Sequence, residues 1–309
     1  MKPLSVIGSP INIGQPKPGV IKGPDAMRKH GLIEKLKERV EEVYDLGNLT
    51  FPDVGHDPPI KNMKNPKAVA TYNKILSDKV SEERRKGHNV IVLGGDHSLG
   101  IGSVHGQIEA EKEKPVLLWI DAHSDINSPK TSPSGNAHGM PVAYLIEEMR
   151  NQLPEIEQFN WVHHSINAKD VVYIGLRDID VGEIRTMKNL GVKFFSMQEV
   201  EEYGIAKVVK LALDLVDITK DRPIHVSFDI DSMDPIVAPS TGTPVPAGLT
   251  LREALYIAEV IFETGRMTVL DVVELNPELG TEADAKTTTD NTVLVVEHYF
   301  GKKRMGNLS

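Results

Sequence analysis

Val116-Leu117-Leu118-Trp119-Ile120, followed at once by Asp121-Ala122-His123-Ser124-Asp125, is a short apolar run that ends in a burst of ionisable side chains. An apolar run of this length with no polar alternation reads as a strand covered on both faces. The same construction occurs twice more. Ile91-Val92-Leu93 leads into Gly94-Gly95-Asp96-His97, and Val226-Ser227-Phe228 leads into Asp229-Ile230-Asp231.

Moving outward from these three, similar runs occupy Leu4 to Ile7, Val43 to Leu46, Val171 to Ile174, Val192 to Phe195 and Met267 to Val273. Helical patterns lie between them, over Ala26 to Val40, Ala68 to Gly87, Glu183 to Gly191, Gly204 to Leu215 and Leu251 to Gly265. Thr250 followed by Glu253 has the spacing of a capping box and marks the start of the last of these. The alternation predicts an α/β fold of three layers, with a mainly parallel eight-stranded sheet and helices on both faces. No internal repeat, low-complexity tract or linker interrupts residues 1–309, so the expectation is one domain. The stretches Phe51 to Pro66 and Asn127 to Pro141, rich in Pro, Gly, Asn and Ser, read as loops.

Composition narrows the function. The 309 residues carry a formal net charge of -9 with no block of like charges, which argues against a nucleic-acid footprint or a polybasic membrane patch and is compatible with a cationic small substrate. No apolar stretch approaches the roughly 20 residues that span a bilayer. The opening Met1 to Pro10 matches neither a signal peptide nor a transit peptide, so a cytoplasmic location is expected. With no cysteine in the chain, disulfides, thiolate metal sites and a thiol nucleophile are all excluded. Any metal must be held by oxygen and imidazole, which leans toward Mn, Mg, Zn or Fe and leaves the choice to geometry.

Ligands of open α/β sheets bind at the carboxyl ends of strands, and each ionisable cluster follows such an end. Asp121, Asp125, Asp229, Asp231, His97 and His123 are therefore expected to converge. Alternate residues of an extended strand share a side, so Asp121, His123 and Asp125 are expected to face one site, as are Asp229 and Asp231. Four clustered carboxylates repel one another, and two divalent cations would cancel that charge. Six ligands for two ions require bridging carboxylates and leave open positions for water, the arrangement of a two-metal hydrolase. Taken singly, Asp121-Ala122-His123 could be a capped loop and His97 a core histidine bonded to backbone. It is the threefold recurrence that favours a metal centre.

At these residues the chain resembles the ureohydrolase superfamily and, within it, the arginases, nearly end to end. The matching stretches are Gly94 to Ser98, Asp121 to Asn127, Ser134 to Pro141, Gly175 to Asp180, Ser227 to Asp231, Gly242-Thr243-Pro244 and Glu274 to Pro277. The resemblance implies two Mn2+ per subunit. His97, Asp121, Asp125 and Asp229 would hold one, Asp121, His123, Asp229 and Asp231 the other, with Asp121 and Asp229 bridging. It implies hydrolysis of L-arginine to L-ornithine and urea by a hydroxide bridging the metals, which Asp125 orients. Glu274 would receive the guanidinium fork, and His138 would shuttle the proton to the leaving amine. Asn127, Ser134 and Asn136 would grip the α-carboxylate, Asp180 the α-amino group with Glu183 nearby, and Thr243 joins the substrate set.

Two other readings stay open at this point. Agmatinase, or another guanidino-substrate hydrolase, would lack the carboxylate-gripping residues, and a non-catalytic, metal-stabilised oligomeric binding protein would lack a ligand, His138 or Glu274. The family further implies a homotrimer or hexamer, with Arg252, Glu253 and Arg304 at trimer-linked positions. Departures from the family pattern are Ser232-Met233 in place of Gly-Leu, Lys17-Pro18 in place of Arg-Gly near the entrance, and Glu297-His298 in a final helix that is more apolar in relatives. Ser232 puts a Cβ into the turn that presents Asp231.

Overall fold

The computed structural model describes residues 1–163, 166–217 and 219–306. Every apolar run anticipated as a strand is one: β1 (Leu4–Ser9), β2 (Val43–Asn48), β3 (Asn89–Gly94), β4 (Val116–Ile120), β5 (Val171–Leu176), β6 (Lys193–Ser196), β7 (Ile224–Asp229) and β8 (Met267–Val273). They form one eight-stranded sheet in the order β2-β1-β3-β8-β7-β4-β5-β6. All pairings are parallel, so the sheet goes beyond the mainly parallel expectation. The consecutive strands β3 and β4 are separated by β8 and β7, which return from the C-terminal third of the chain. That interruption sets three strands' worth of ionisable residues side by side at one edge.

The helices are α1 (Gly23–Lys29), α2 (Leu32–Lys37), α3 (Pro66–Arg85), α4 (Gly100–Ala110), α5 (Pro141–Leu145), α6 (Val181–Leu190), α7 (Met197–Tyr203), α8 (Ile205–Val216), α9 (Leu251–Glu263) and α10 (Glu282–Tyr299). Alternate residues of the strands face two helical layers. Val116, Leu118 and Ile120 join Ile224, Val226 and Phe228 in the core beneath α8, α9 and α10. On the opposite face Leu117 and Trp119 pack with Val104 of α4 and Val142 of α5. The continuous apolar reading holds for the central strands only. β2, at the sheet edge, is mostly exposed because it has one strand neighbour and little cover.

One anticipated helix is broken. The pattern over 26–40 is two helices joined at Gly31, whose φ of 82° places it in the left-handed region that glycine tolerates. α4, α5, α7 and α10 lie outside the helices read from the pattern, α10 having been expected only as the final helix of the family. α4 is almost entirely buried and thus has no polar face to reveal its period. The capping box at Thr250 is present, with its hydroxyl accepting from Glu253 N–H and Glu253 returning to Thr250 N–H at 2.8 Å.

Two departures from the family pattern resolve locally. The turn at Ser232-Met233 carries a Cβ without strain, since neither residue has a positive φ. Ser232 instead braces the turn, its Oγ donating to the Asp229 carbonyl at 2.6 Å. In α10, buried Glu297 lies 3.4 Å from Lys35 Nζ and accepts from Lys302 at 3.1 Å, while His298 pairs with Glu259 at 3.0 Å. Both polar side chains thus have partners, beside the apolar packing of Val293, Val295, Val296 and Tyr299. Among the described residues no helix is long and apolar enough to cross a membrane.

Candidate metal centre

At the carboxyl edge of β3, β8, β7 and β4, the six anticipated ligands meet. His97 Nδ1 lies 3.0 Å from Asp121 Oδ2, 3.2 Å from Asp125 Oδ2 and 3.1 Å from Asp229 Oδ2. His123 Nδ1 lies 3.4 Å from Asp121 Oδ1 and 3.2 Å from Asp231 Oδ2. Among the described residues, His97, Asp121 and Asp229 form one group able to hold an ion, and Asp121, His123 and Asp231 form another. Asp121 therefore presents one oxygen to each. All four carboxylates are buried.

The local geometry differs from an extended run. β4 ends at Ile120, and Asp125 adopts a φ of 49°, in the left-handed region. Asp231 sits in a short 3-10 turn after β7. Convergence thus comes from tight turns past the strand ends, so the residues singled out by alternation meet through a different geometry. Glu274 also has a positive φ, 64°, just past β8. Two non-glycine residues in this costly region at one site mark backbone that the surrounding contacts hold against its preference.

Backbone donors and neighbouring side chains aim the ligands. His123 N–H donates to Asp121 Oδ1 at 2.7 Å and Asp231 N–H to Asp229 Oδ1 at 2.8 Å. Thr243 Oγ1 donates to Asp231 Oδ2 at 2.9 Å, and Trp119 Nε1 donates to Asp121 Oδ2 at 3.0 Å. The Trp119 ring stacks on His97 with centroids 4.0 Å apart. Arg177 donates to the carbonyls of Asp231 and Ser232 and so clamps the following turn. Behind His97, Nε2 lies 2.8 Å from Ser227 Oγ, which in turn lies 3.4 Å from Asp271. That leaves Nδ1 facing the carboxylates, with a carboxylate at the far end of the chain to favour an Nε2 proton. Gly95 permits this packing, because a Cβ there would fall 1.8 Å from the Ile11 carbonyl oxygen.

Electrostatically the cluster is frustrated without cations. Burial, together with repulsion from Asp231 and Asp121, pushes Asp229 well above the usual carboxylate range. Burial and Asp121 raise Asp231, and the same two causes push Asp125 up to about 6 against the pull of His97. Asp121 moves the other way, since the neighbouring His123 and His97 imidazoles outweigh its burial. Burial lowers both imidazoles, but the surrounding carboxylates outweigh it and raise them. His97 Nδ1 is buried with no hydrogen bond, although three carboxylates lie within 3.2 Å. Four buried acids around two imidazoles suit divalent cations held by oxygen and nitrogen.

A pocket of about 370 Å³ opens above the cluster, lined by His97, His123, Asp125 and Asp229 at its floor. Asn127, Ser134, Asn136, His138, Asp180, Glu183 and Thr243 line it as well. Every substrate-facing residue anticipated from the sequence is thus at this opening except Glu274, which is buried behind it. Glu274 Oε1 accepts from His97 N–H at 2.9 Å and lies 3.4 Å from His138 Nδ1, while Oε2 faces Gly242. Glu274 and the Asp125 and Asp96 charges push His138 up to about 9 in spite of its burial.

Several lining residues have intramolecular partners. Asn127 donates to Asp180 at 2.9 Å, and Lys64 donates to Asn136 at 3.0 Å. Glu183 accepts from Ile126 N–H and from Asp180 N–H, both at 3.0 Å, and burial with the Asp125 charge pushes it up to about 7. It therefore ties the loop after β4 to the start of α6. Thr243 also donates to Asp231 rather than pointing only into the pocket.

Sequence reading passed over Asp178, 3.8 Å from His123 Nε2, and Asp96, which accepts from Gly14 N–H at 2.8 Å and pins the N-terminal segment against the site. Both stood in the quoted motifs, directly beside a ligand or a strand end. Lys17 donates to the Gly242 carbonyl.

Comparison with known proteins identifies the chain's family. A model of the Arginase family matches residues 2–300. Over 307 residues the chain is 48% identical to Arginase-1 of Rattus norvegicus, covering 99% of this chain and 95% of that one. Among solved structures, the native arginase of Bacillus caldovelox superposes with a TM-score of 0.88 at 35% identity, covering 99% of this chain and 100% of that one. An Entamoeba histolytica arginase in complex with L-ornithine superposes with a TM-score of 0.87 at 32% identity, covering 97% and 99% respectively.

Proposed function

Because this chain belongs to the arginase family, we propose that it is a hydrolase of linear amidines that converts L-arginine and water to L-ornithine and urea, as a single catalytic unit of residues 1–309. The observation that carries the reading is Asp121, whose two oxygens each serve a different imidazole-containing cluster on the floor of a pocket rimmed by amide, hydroxyl and carboxylate groups. His97, Asp121, Asp125 and Asp229 would hold one Mn2+ and Asp121, His123, Asp229 and Asp231 the second. When bound, the ions supply charge to offset four carboxylates and the Lewis acidity that makes water nucleophilic near neutral pH.

The chain's own groups do the rest. Asp125, buried beside His97, accepts a hydrogen bond from the attacking water and orients it. Glu274, through Oε2 beside Gly242, receives the planar fork of the guanidinium, which matches a carboxylate in geometry and charge. Its contact with His138 keeps that imidazole protonated, ready to deliver a proton to the departing amine. Asn127, Ser134 and Asn136 bind the α-carboxylate at the mouth, and Asp180 with Glu183 the α-ammonium. Thr243 contributes by holding Asp231 in register. A homotrimer or hexamer in the cytoplasm completes the reading. Within one chain, Glu253 caps α9 and Arg304 pairs with Glu259 at 2.8 Å, so any subunit contact there would add to these intrachain bonds.

The test is urea release from L-arginine and from agmatine after incubation with Mn2+. Turnover of arginine well above that of agmatine is expected. Faster agmatine hydrolysis would overturn the substrate assignment, and activity that survives complete chelation would overturn the metal centre.

A further inference from the structure

Away from the catalytic pocket, α4 carries a second set of metal-ligating side chains. The helix starts at the catalytic edge with Gly100, and Glu109 lies nine residues on, about 13 Å along its axis. His105 and Glu109, four residues apart, share a face and line a cavity of about 210 Å³, which α3 and the segment bearing Trp161 and His163 close off. One potential ligand atom from each of His105, Glu109 and His163 lies within 4.8 Å of the others.

His105 is the informative member. Its side chain is 5% exposed, and Nδ1 lies 2.9 Å from Ser77 Oγ. Nε2 is buried without a hydrogen bond, 3.9 Å from Glu109 Oε1. An imidazole nitrogen left unpaired in the interior is costly unless something meets it. Trp161 packs edge-on against the ring at 5.0 Å and fixes its plane. With Nδ1–H donating to Ser77, the lone pair on Nε2 faces Glu109 and His163, the tautomer that metal-binding histidines adopt when the other nitrogen is anchored.

We propose that His105, Glu109 and His163 form a second divalent-cation site, of the zinc class, that fastens the Trp161–His163 segment to α4. Two imidazoles and a carboxylate, with a fourth position left for water, are a common zinc set. Nitrogen donors favour zinc over magnesium or calcium. Ligand distances of about 2.0–2.2 Å require Glu109 to swing in, which its exposed side chain can do. Of the charged groups around the cavity, Lys74 is paired with Asp78, and Arg85 donates to the Glu109 carbonyl. Burial holds His105 down to about 4 against the attraction of Glu109, with His163 and Lys74 adding to the lowering and Asp78 opposing it. A proton therefore does not compete for its lone pair at neutral pH.

The test uses the Mn2+-loaded protein, incubated with Zn2+, desalted and analysed for both metals. Alongside the wild type run E109Q and H163Q, whose substituted side chains lie at the cavity's exposed side and outside the catalytic pocket. One zinc per chain in the wild type is expected, lost in both variants while manganese content and arginine hydrolysis stay unchanged. Equal zinc content in all three proteins, or no zinc retained by the wild type, would overturn the proposal.

Discussion

Asp125 is the residue on which the proposed chemistry turns, since it is buried against His97 and held at an unusual backbone angle. Asp125→Asn keeps the shape and removes the charge. Turnover is expected to fall at least ~100-fold, the scale of a lost acid–base group. Circular dichroism should stay native-like; near-normal urea production would contradict the role. His138→Asn is expected to lower kcat by a similar ~100-fold, with partial recovery on adding imidazole. Unchanged kinetics in that variant would remove the proton shuttle. These residues were legible in the sequence because each follows a strand end or sits in a quoted motif. The bracing roles of Thr243, Trp119 and Ser232 were not, since they depend on which ligand oxygen lies within reach across the site.

Two helices give predictions of their own. α9 begins with a reciprocal capping box, so Thr250→Ala should destabilise the protein by about 1 kcal/mol, read from denaturant unfolding. No change would mean that the first turn finds other partners. In α3, Glu83 accepts from Ser5 of β1 at 2.8 Å and pairs with Lys79 and Lys86. Burial raises its pKa, but the bonds from Lys86, Lys79 and Ser5 outweigh it and lower the group to about 2. A folded-state pKa below the unfolded value stabilises the protein above about pH 4.5, and that contribution is lost as pH falls toward 2. The stability gap between wild type and Glu83→Gln should accordingly shrink across that interval, and a gap constant with pH would refute the linkage. The amphipathic helices α3, α6, α8 and α9 were legible from their period, whereas the short α7 was not. The largely buried α4 was hidden, and the break at Gly31 came from a backbone conformation that an apolar pattern does not register.

For the molecule as a whole, ions that bind the folded state alone add to its stability by mass action. Free Mn2+ at 100 times its dissociation constant should contribute about 2.7 kcal/mol, seen as a rise in Tm over the chelated protein. An unchanged Tm would mean that the buried carboxylates need no cation. The sheet order makes this coupling global. The proposed ligands come from the ends of β3, β4 and β7, with Glu274 at the end of β8, and these four neighbouring strands draw on the chain from residue 89 to residue 273.

By itself the sequence determined that there would be eight strands, that carboxylates and imidazoles would crowd the carboxyl ends of three of them, and that oxygen and nitrogen would be the only metal donors. Those are local properties: apolar runs, the residues that follow them, and the absence of cysteine. Only the tertiary structure decided that β8 and β7 lie between β3 and β4, that Asp121 faces both clusters, and that His105 meets Glu109 and His163 on the far part of α4. Such placements depend on long-range strand pairing and on turn angles past the strand ends. Neither leaves a periodic mark in the chain, because partners far apart in sequence are chosen by how whole layers pack.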